Sequence, residues 1–131
     1  MLRTPAPNSW EAGISRILIV DDDEAFRYAI VKILGDDGYE VVDAPDFRRG
    51  LDLIEDGKPL ALLITDIVLP SVNGFALARM ARMHHLGMPV IYMSGFDIPS
   101  EEARGPLLRK PFKPEDLLVQ VRMILSAPHM A

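Results

Sequence analysis

The sequence predicts an α/β fold: a doubly wound, five-stranded parallel sheet with strand order 2-1-3-4-5. Short apolar runs alternate with amphipathic segments along the chain, the pattern of successive β-α units. The runs at 16–20 and 60–65 are apolar nearly throughout, as central strands covered by helices on both sides must be. Both runs end in acid, Asp21-Asp22-Asp23 after the first and Asp66 after the second. In such a sheet, ligands bind beyond the carboxyl ends of the strands, where the strand order reverses. For this order the reversal lies between strands 1 and 3, the two that end in aspartate.

Residues 1–14 read as a leader, from their Pro, Asn and Ser content, with Trp10 an unusual passenger. The domain is expected over 15–127, with a tail at 128–131. Strands are expected near 16–20, 39–43, 60–65, 89–93 and 106–109. The first helix, over 23–34, carries Phe26, Ile30, Ile33 and Leu34 on one face and is capped by Asp23. Gly35-Asp36-Asp37-Gly38 then breaks it. The second, over 46–55, is capped by Asp46 and carries Phe47, Leu51 and Ile54. Asn73-Gly74 opens a third, bearing Leu77, Met80 and Ala81. Pro114 suits the first position of the last helix, with Glu115 and Asp116 at the positive end of its dipole. Leu117, Val121 and Ile124 supply its apolar stripe.

Composition narrows the function. With 131 residues, 49% hydrophobic and 25% charged, the chain fits one globular domain with a substantial core. A net charge of −5 gives no electrostatic case for nucleic acid. The basic stretch Arg79 to His85 reads as a solvated helix face. There is no cysteine, so disulfides and thiolate metal sites are excluded. His84, His85 and His129 have no ligand-like spacing and read as surface residues. No apolar stretch is long enough to cross a membrane as a helix, and the N-terminus lacks a signal-peptide core, so a cytoplasmic location is the default expectation.

Five side chains are expected at one sheet edge: Asp21 and Asp22 after strand 1, Asp66 at the end of strand 3, Ser94 after strand 4 and Lys110 after strand 5. Carboxylates crowded in one crevice repel, and a divalent cation relieves the repulsion. Hard oxygen donors in this number suit Mg²⁺. Cation, ammonium and hydroxyl together can neutralise the oxygens of a phosphoryl group while a carboxylate attacks it. Asp66, facing the pair across the crevice, is the candidate nucleophile. Taken singly, each residue has an ordinary reading. Asp23 is a helix cap, Asp66 an Asx turn before Pro70, Ser94 a loop serine, Lys110 a surface lysine. Their joint placement at successive strand ends carries the signal.

The chain resembles the receiver domain of two-component response regulators, a CheY-like, flavodoxin-like fold. The motifs are Ile17-Leu18-Ile19-Val20-Asp21-Asp22-Asp23-Glu24, Thr65 to Gly74, Met93-Ser94-Gly95 and Lys110-Pro111-Phe112, and the likeness runs from Arg16 to Leu125. The resemblance implies that Asp66 takes a phosphoryl group from a histidine kinase or a histidine phosphotransfer protein and so switches a downstream protein. It implies Mg²⁺ held directly by Asp22, Asp66 and the Val68 carbonyl, and through water by Asp21. It implies phosphoryl contacts from Ser94 and Lys110, a cis Lys110–Pro111 peptide, and at most slow self-dephosphorylation rather than enzymatic turnover.

Two departures accompany it. Leu107 stands where such domains usually carry a switching aromatic residue. Only 16 positions separate Ser94 from Lys110, so the helix between strands 4 and 5 is expected to be shortened. Both features resemble receivers attached to hybrid histidine kinases. Two other readings stay open: an interaction module that is never phosphorylated, and a phosphatase using Asp21 and Asp23 as an Asp-x-Asp pair. The second lacks the expected hydroxyl at Ala25. A flavin site is disfavoured, because the acidic crevice would repel an FMN phosphate.

Overall fold

The computed structural model describes residues 16–70, 72–95 and 105–126. The expected leader, Trp10, His129, the tail, the domain limits and the shortened helix at 96–104 lie outside the described residues. Five strands form one parallel sheet: β1 (Arg16–Val20), β2 (Glu40–Ala44), β3 (Leu62–Asp66), β4 (Val90–Ser94) and β5 (Leu107–Arg109), in the order β2-β1-β3-β4-β5. Among the described residues four helices flank it: α1 (Glu24–Asp36), α2 (Phe47–Ile54), α3 (Gly74–His84) and α4 (Pro114–Ser126). Order and class match the expectation.

Period-2 alternation sorts the central strands into two cores. Ile17, Ile19, Leu62, Ile64, Ile91 and Met93 pack with Ile30 and Leu34 of α1 and Leu117 and Val121 of α4. Leu18, Val20, Leu63, Val90 and Tyr92 face the other way, toward Leu53 and Ile54 of α2 and Leu77, Ala78 and Ala81 of α3. Every residue of β1, β3 and β4 is buried, so these strands have no polar face to spare.

The caps fall where the sequence puts them. Asp23, Asp46 and Asn73 accept hydrogen bonds from the backbone N–H of Phe26, Arg49 and Ala76 at 3.1, 2.9 and 2.9 Å. Pro114 opens α4, and the Lys110–Pro111 peptide is cis.

Several details differ. The first helix runs through Gly35 to Asp36, and the chain turns only at Gly38, whose φ is +99°. The third strand starts at Leu62, because Leu60 and Ala61 still belong to the approach, where the Ala61 N–H reaches the Arg16 carbonyl at 2.8 Å. The buried face of α3 is Phe75, Leu77, Ala78 and Ala81, with Met80 only half-buried. The α2 face is turned slightly: Leu53 and Ile54 are buried, Leu51 only partly. His85 is not a plain surface residue. It is half-buried, with Nε2 2.8 Å from the Ile54 carbonyl, and so ties the end of α3 to that of α2. His84 is exposed, as expected, beside Glu55 at 3.3 Å.

One glycine fixes the edge that matters. Gly74 packs against the backbone of Asp66 so closely that a Cβ at 74 would collide with the Asp66 carbonyl oxygen, and its N–H donates to the Ile67 carbonyl at 2.7 Å. Gly74→Ala is expected to destabilise the domain by about 1–3 kcal/mol and to shift the amide resonances of Asp66 to Val68. Gly35→Ala, with nothing within 4 Å of the new methyl, should instead stabilise by about 0.5–1 kcal/mol. Urea unfolding of both variants checks the contrast.

Candidate metal centre

The centre is built from strand ends. Asp21 follows β1 and is completely buried, Asp66 is the last residue of β3, Ser94 the last of β4, and Lys110 follows β5. Asp21, Asp22 and Asp66 each offer a carboxylate oxygen, and these atoms lie within 4.8 Å of one another. Asp22 is exposed, so the group opens to solvent on its side. Lys110 bridges the two buried acids, its Nζ donating to Asp21 Oδ2 at 2.7 Å and to Asp66 Oδ2 at 3.2 Å. The structure thus brings together Asp21, Asp22, Asp66 and Lys110. Ser94 is buried at the same edge, and its carbonyl accepts the Lys110 N–H at 2.7 Å, which fixes the lysine backbone against β4.

Asp21 has every polar atom engaged. Its N–H donates to the Ala44 carbonyl at 3.1 Å, and its carbonyl accepts from Arg27 Nη1 at 2.8 Å. Its Oδ1 accepts the Asp23 N–H at 2.9 Å, and its Oδ2 the lysine. Asp66 is less encumbered. Oδ1 takes a longer hydrogen bond from the Val68 N–H, 3.3 Å, and the other oxygen shares the lysine.

The electrostatics follow. Burial pushes the Asp66 carboxyl above its ordinary range and the Asp21 charge adds to the rise, while Lys110 and the Val68 N–H pull the other way without cancelling it. Burial alone would lower Lys110, but its hydrogen bonds and charge attraction to Asp21 and Asp66 outweigh that and hold the ammonium above its usual value. Three carboxylates and one ammonium leave a formal charge of −2, which a divalent cation would balance. The donors are all oxygens of the hard type that Mg²⁺ prefers, so the residues present fit that ion.

Lys110 also lies against an aromatic ring. Its Nζ lies 4.3 Å from the centroid of Phe26, which meets Phe112 edge-on at 5.6 Å. Leu107 is half-buried against the core on the α2/α3 side, paired in register with the buried Tyr92, which itself lies 5.2 Å from the Phe75 ring.

Sequence reasoning missed Arg27 and Asp43. Arg27 is buried and donates through Nε to Asp43 Oδ2 at 2.6 Å. The signal was present: a charged residue lies among Phe26, Ile30 and Leu34 on the α1 stripe, and an acid occupies the β2 position that alternates with Val41 onto the same side. Two opposite charges on facing apolar surfaces imply each other.

A parallel sheet of this order, with acids at its reversal point and a lysine braced across them, defines the receiver class of signalling domain. The chain belongs to the response regulator receiver domain family, whose model matches residues 17–122. A response regulator of Mycolicibacterium vanbaalenii, MprA, is 35% identical over 116 residues, covering 84% of this chain and 50% of the relative. The chain therefore spans about half the length of the curated relatives it matches. Among solved structures, a CheY-like response regulator receiver domain protein from Methanospirillum hungatei JF-1 is similar with a TM-score of 0.81 and 34% identity, covering 88% of this chain and 96% of that one. The receiver domain of the hybrid histidine kinase CckA is similar with a TM-score of 0.75 and 32% identity, over 85% and 99% of the two chains. No helix among the described residues is long and apolar enough to cross a membrane.

The charge balance at Asp66 can be tested without any ligand. An acid whose carboxyl is raised on folding destabilises the fold at pH above that raised value, and the penalty fades as pH falls toward the ordinary unfolded value. Asp66→Asn is therefore expected to raise the melting temperature at neutral pH in metal-free buffer. The gain should shrink steadily on acidification. Thermal melts of parent and variant across that range check the sign.

Proposed function

We propose that this receiver domain accepts a phosphoryl group on Asp66 and signals by the change this makes at the sheet edge. The observation that carries the reading is the shared lysine. One ammonium spans the acid of β3 and the buried acid after β1, which aims a positive charge at the place where a phosphoryl oxygen on Asp66 would stand. An Asp66 carboxylate oxygen attacks phosphorus, an O–P bond forms, and the N–P bond to the donor imidazole breaks, the imidazole leaving with the electron pair and picking up a proton. Lys110 and the Ser94 hydroxyl would contact the phosphoryl oxygens. Asp22, Asp66 and the Val68 carbonyl would hold Mg²⁺ directly, and Asp21 through water, in keeping with an Asp21 that is completely buried and held by Lys110 at 2.7 Å, against 3.2 Å for Asp66. When bound, Mg²⁺ would supply charge to offset the developing negative oxygens.

The donor would be a histidine kinase or a histidine phosphotransfer protein, and the readout a downstream protein that distinguishes the two states of Asp66. The hybrid-kinase receiver among the similar structures supports a relay setting. Leu107 has no hydroxyl or ring with which to follow Ser94, so the conformational response would run through aliphatic repacking beside Tyr92 and Phe75. Asp23 bears against the phosphatase alternative, since its carboxylate is committed to capping α1.

Incubation with acetyl phosphate and Mg²⁺ should give up to one alkali- and hydroxylamine-sensitive phosphate per chain. Asp66→Asn should abolish it, and chelation of the metal should reduce it by orders of magnitude. Intact-mass measurement reads each result, and undiminished labelling of Asp66→Asn would remove Asp66 as the acceptor.

A further inference from the structure

We infer that Arg27, oriented by Asp43, is a positioning residue that sets where the Asp22 carboxylate stands in the metal centre. The inference rests on the metal-centre reading above and extends it to residues outside the acid group. Arg27 lies one helical turn into α1, with only 7% of its surface exposed. Its guanidinium forks: Nε donates to Asp43 Oδ2 on β2 at 2.6 Å, and Nη1 donates to the main-chain carbonyl of Asp21 at 2.8 Å. That carbonyl shares a rigid peptide plane with the N–H of Asp22. Rotating the plane about its flanking bonds swings the Asp22 side chain, so a hydrogen bond that fixes the carbonyl also fixes the direction in which Asp22 leaves the chain.

Stability alone gives little reason for the arrangement. A buried ion pair roughly breaks even against apolar residues of the same volume, and the α1 stripe around Arg27 is otherwise made of Phe26, Ile30 and Leu34. An aliphatic side chain at 27 would satisfy the core but could not reach the Asp21 carbonyl with a donor. The planar fork of arginine suits two acceptors at once, and the carboxylate of Asp43 holds the fork in one orientation. The guanidinium also places a fixed positive charge beneath a loop that carries two acids, which offsets part of their repulsion before any cation arrives.

The test is Mg²⁺ binding, followed by amide NMR on parent, Arg27→Met, Arg27→Lys and Asp43→Asn. Arg27→Met should weaken Mg²⁺ binding by roughly tenfold to a hundredfold, the range seen when residues that orient metal ligands are lost. Arg27→Lys, which keeps the charge and one donor, should recover part of the loss. Asp43→Asn should fall between Arg27→Lys and Arg27→Met. In metal-free buffer the Asp22 and Asp23 amides of Arg27→Met should already have moved, with β3 and β4 unchanged. If Arg27→Met is too unstable to measure, the order parent, Arg27→Lys, Asp43→Asn decides. Mg²⁺ affinity within twofold of the parent in the folded variants, whatever their melting temperatures, would overturn the inference and leave the metal centre standing. A parent that binds no Mg²⁺ would remove the metal centre itself and this inference with it.

Discussion

The crowding of three carboxylates at the carboxyl ends of neighbouring parallel strands is the constraint around which the rest of this domain is arranged. Asp21, Asp22 and Asp66 bring their oxygens within 4.8 Å of one another, and two of the three are buried. Left alone, such a group would force its members to take up protons or push the strands apart. The fold answers with donors of several kinds: the Lys110 ammonium, the N–H groups of Asp23 and Val68, and the Arg27 guanidinium on the Asp21 carbonyl. They come from the start of α1, the loop after β3 and the turn after β5. The acid group therefore ties together β1, β3, α1 and the turn after β5.

That division of labour explains why the two cores are so uniformly apolar. β1 and β3 are buried along their whole length and apolar through Ile17–Val20 and Leu62–Ile64, so the strands are packed platforms and the polar chemistry gathers at their carboxyl ends. Backbone pairing sets β1 directly beside β3, Val20 opposite Thr65, and this alone puts Asp21 and Asp66 side by side. The geometry of the acid group is thus a by-product of strand register, and a slip of one residue would turn the acids to opposite faces.

Much of this could be read from the sequence because strand ends announce themselves. Apolar runs that stop at an acid, a Ser-Gly pair and a Lys-Pro pair mark where the sheet ends, and the strand order of a doubly wound fold says which ends are neighbours. Caps were equally legible, since Asp23, Asp46 and Asn73 sit just ahead of amphipathic stretches. What escaped were relations between faces. Arg27 and Asp43 meet across α1 and β2, His85 reaches the last turn of α2, and Phe26 lies against Lys110 from 84 positions away in the chain. Local periodicity assigns each of these residues to a surface without naming the residue opposite. Helix boundaries shifted for a smaller reason, because Gly35 tolerates helical geometry and leaves the stop to Gly38.

The contact between Gly74 and the Asp66 carbonyl has a mechanical corollary. The first residue of α3 rests on the backbone of the very residue proposed to change its charge, with no atom between them that could yield. A close-packed joint of this kind has no play. A tilt of the Asp66 peptide would bear directly on the start of α3, a lever eleven residues long whose far end carries the exposed Met83 and leads into the exposed Leu86.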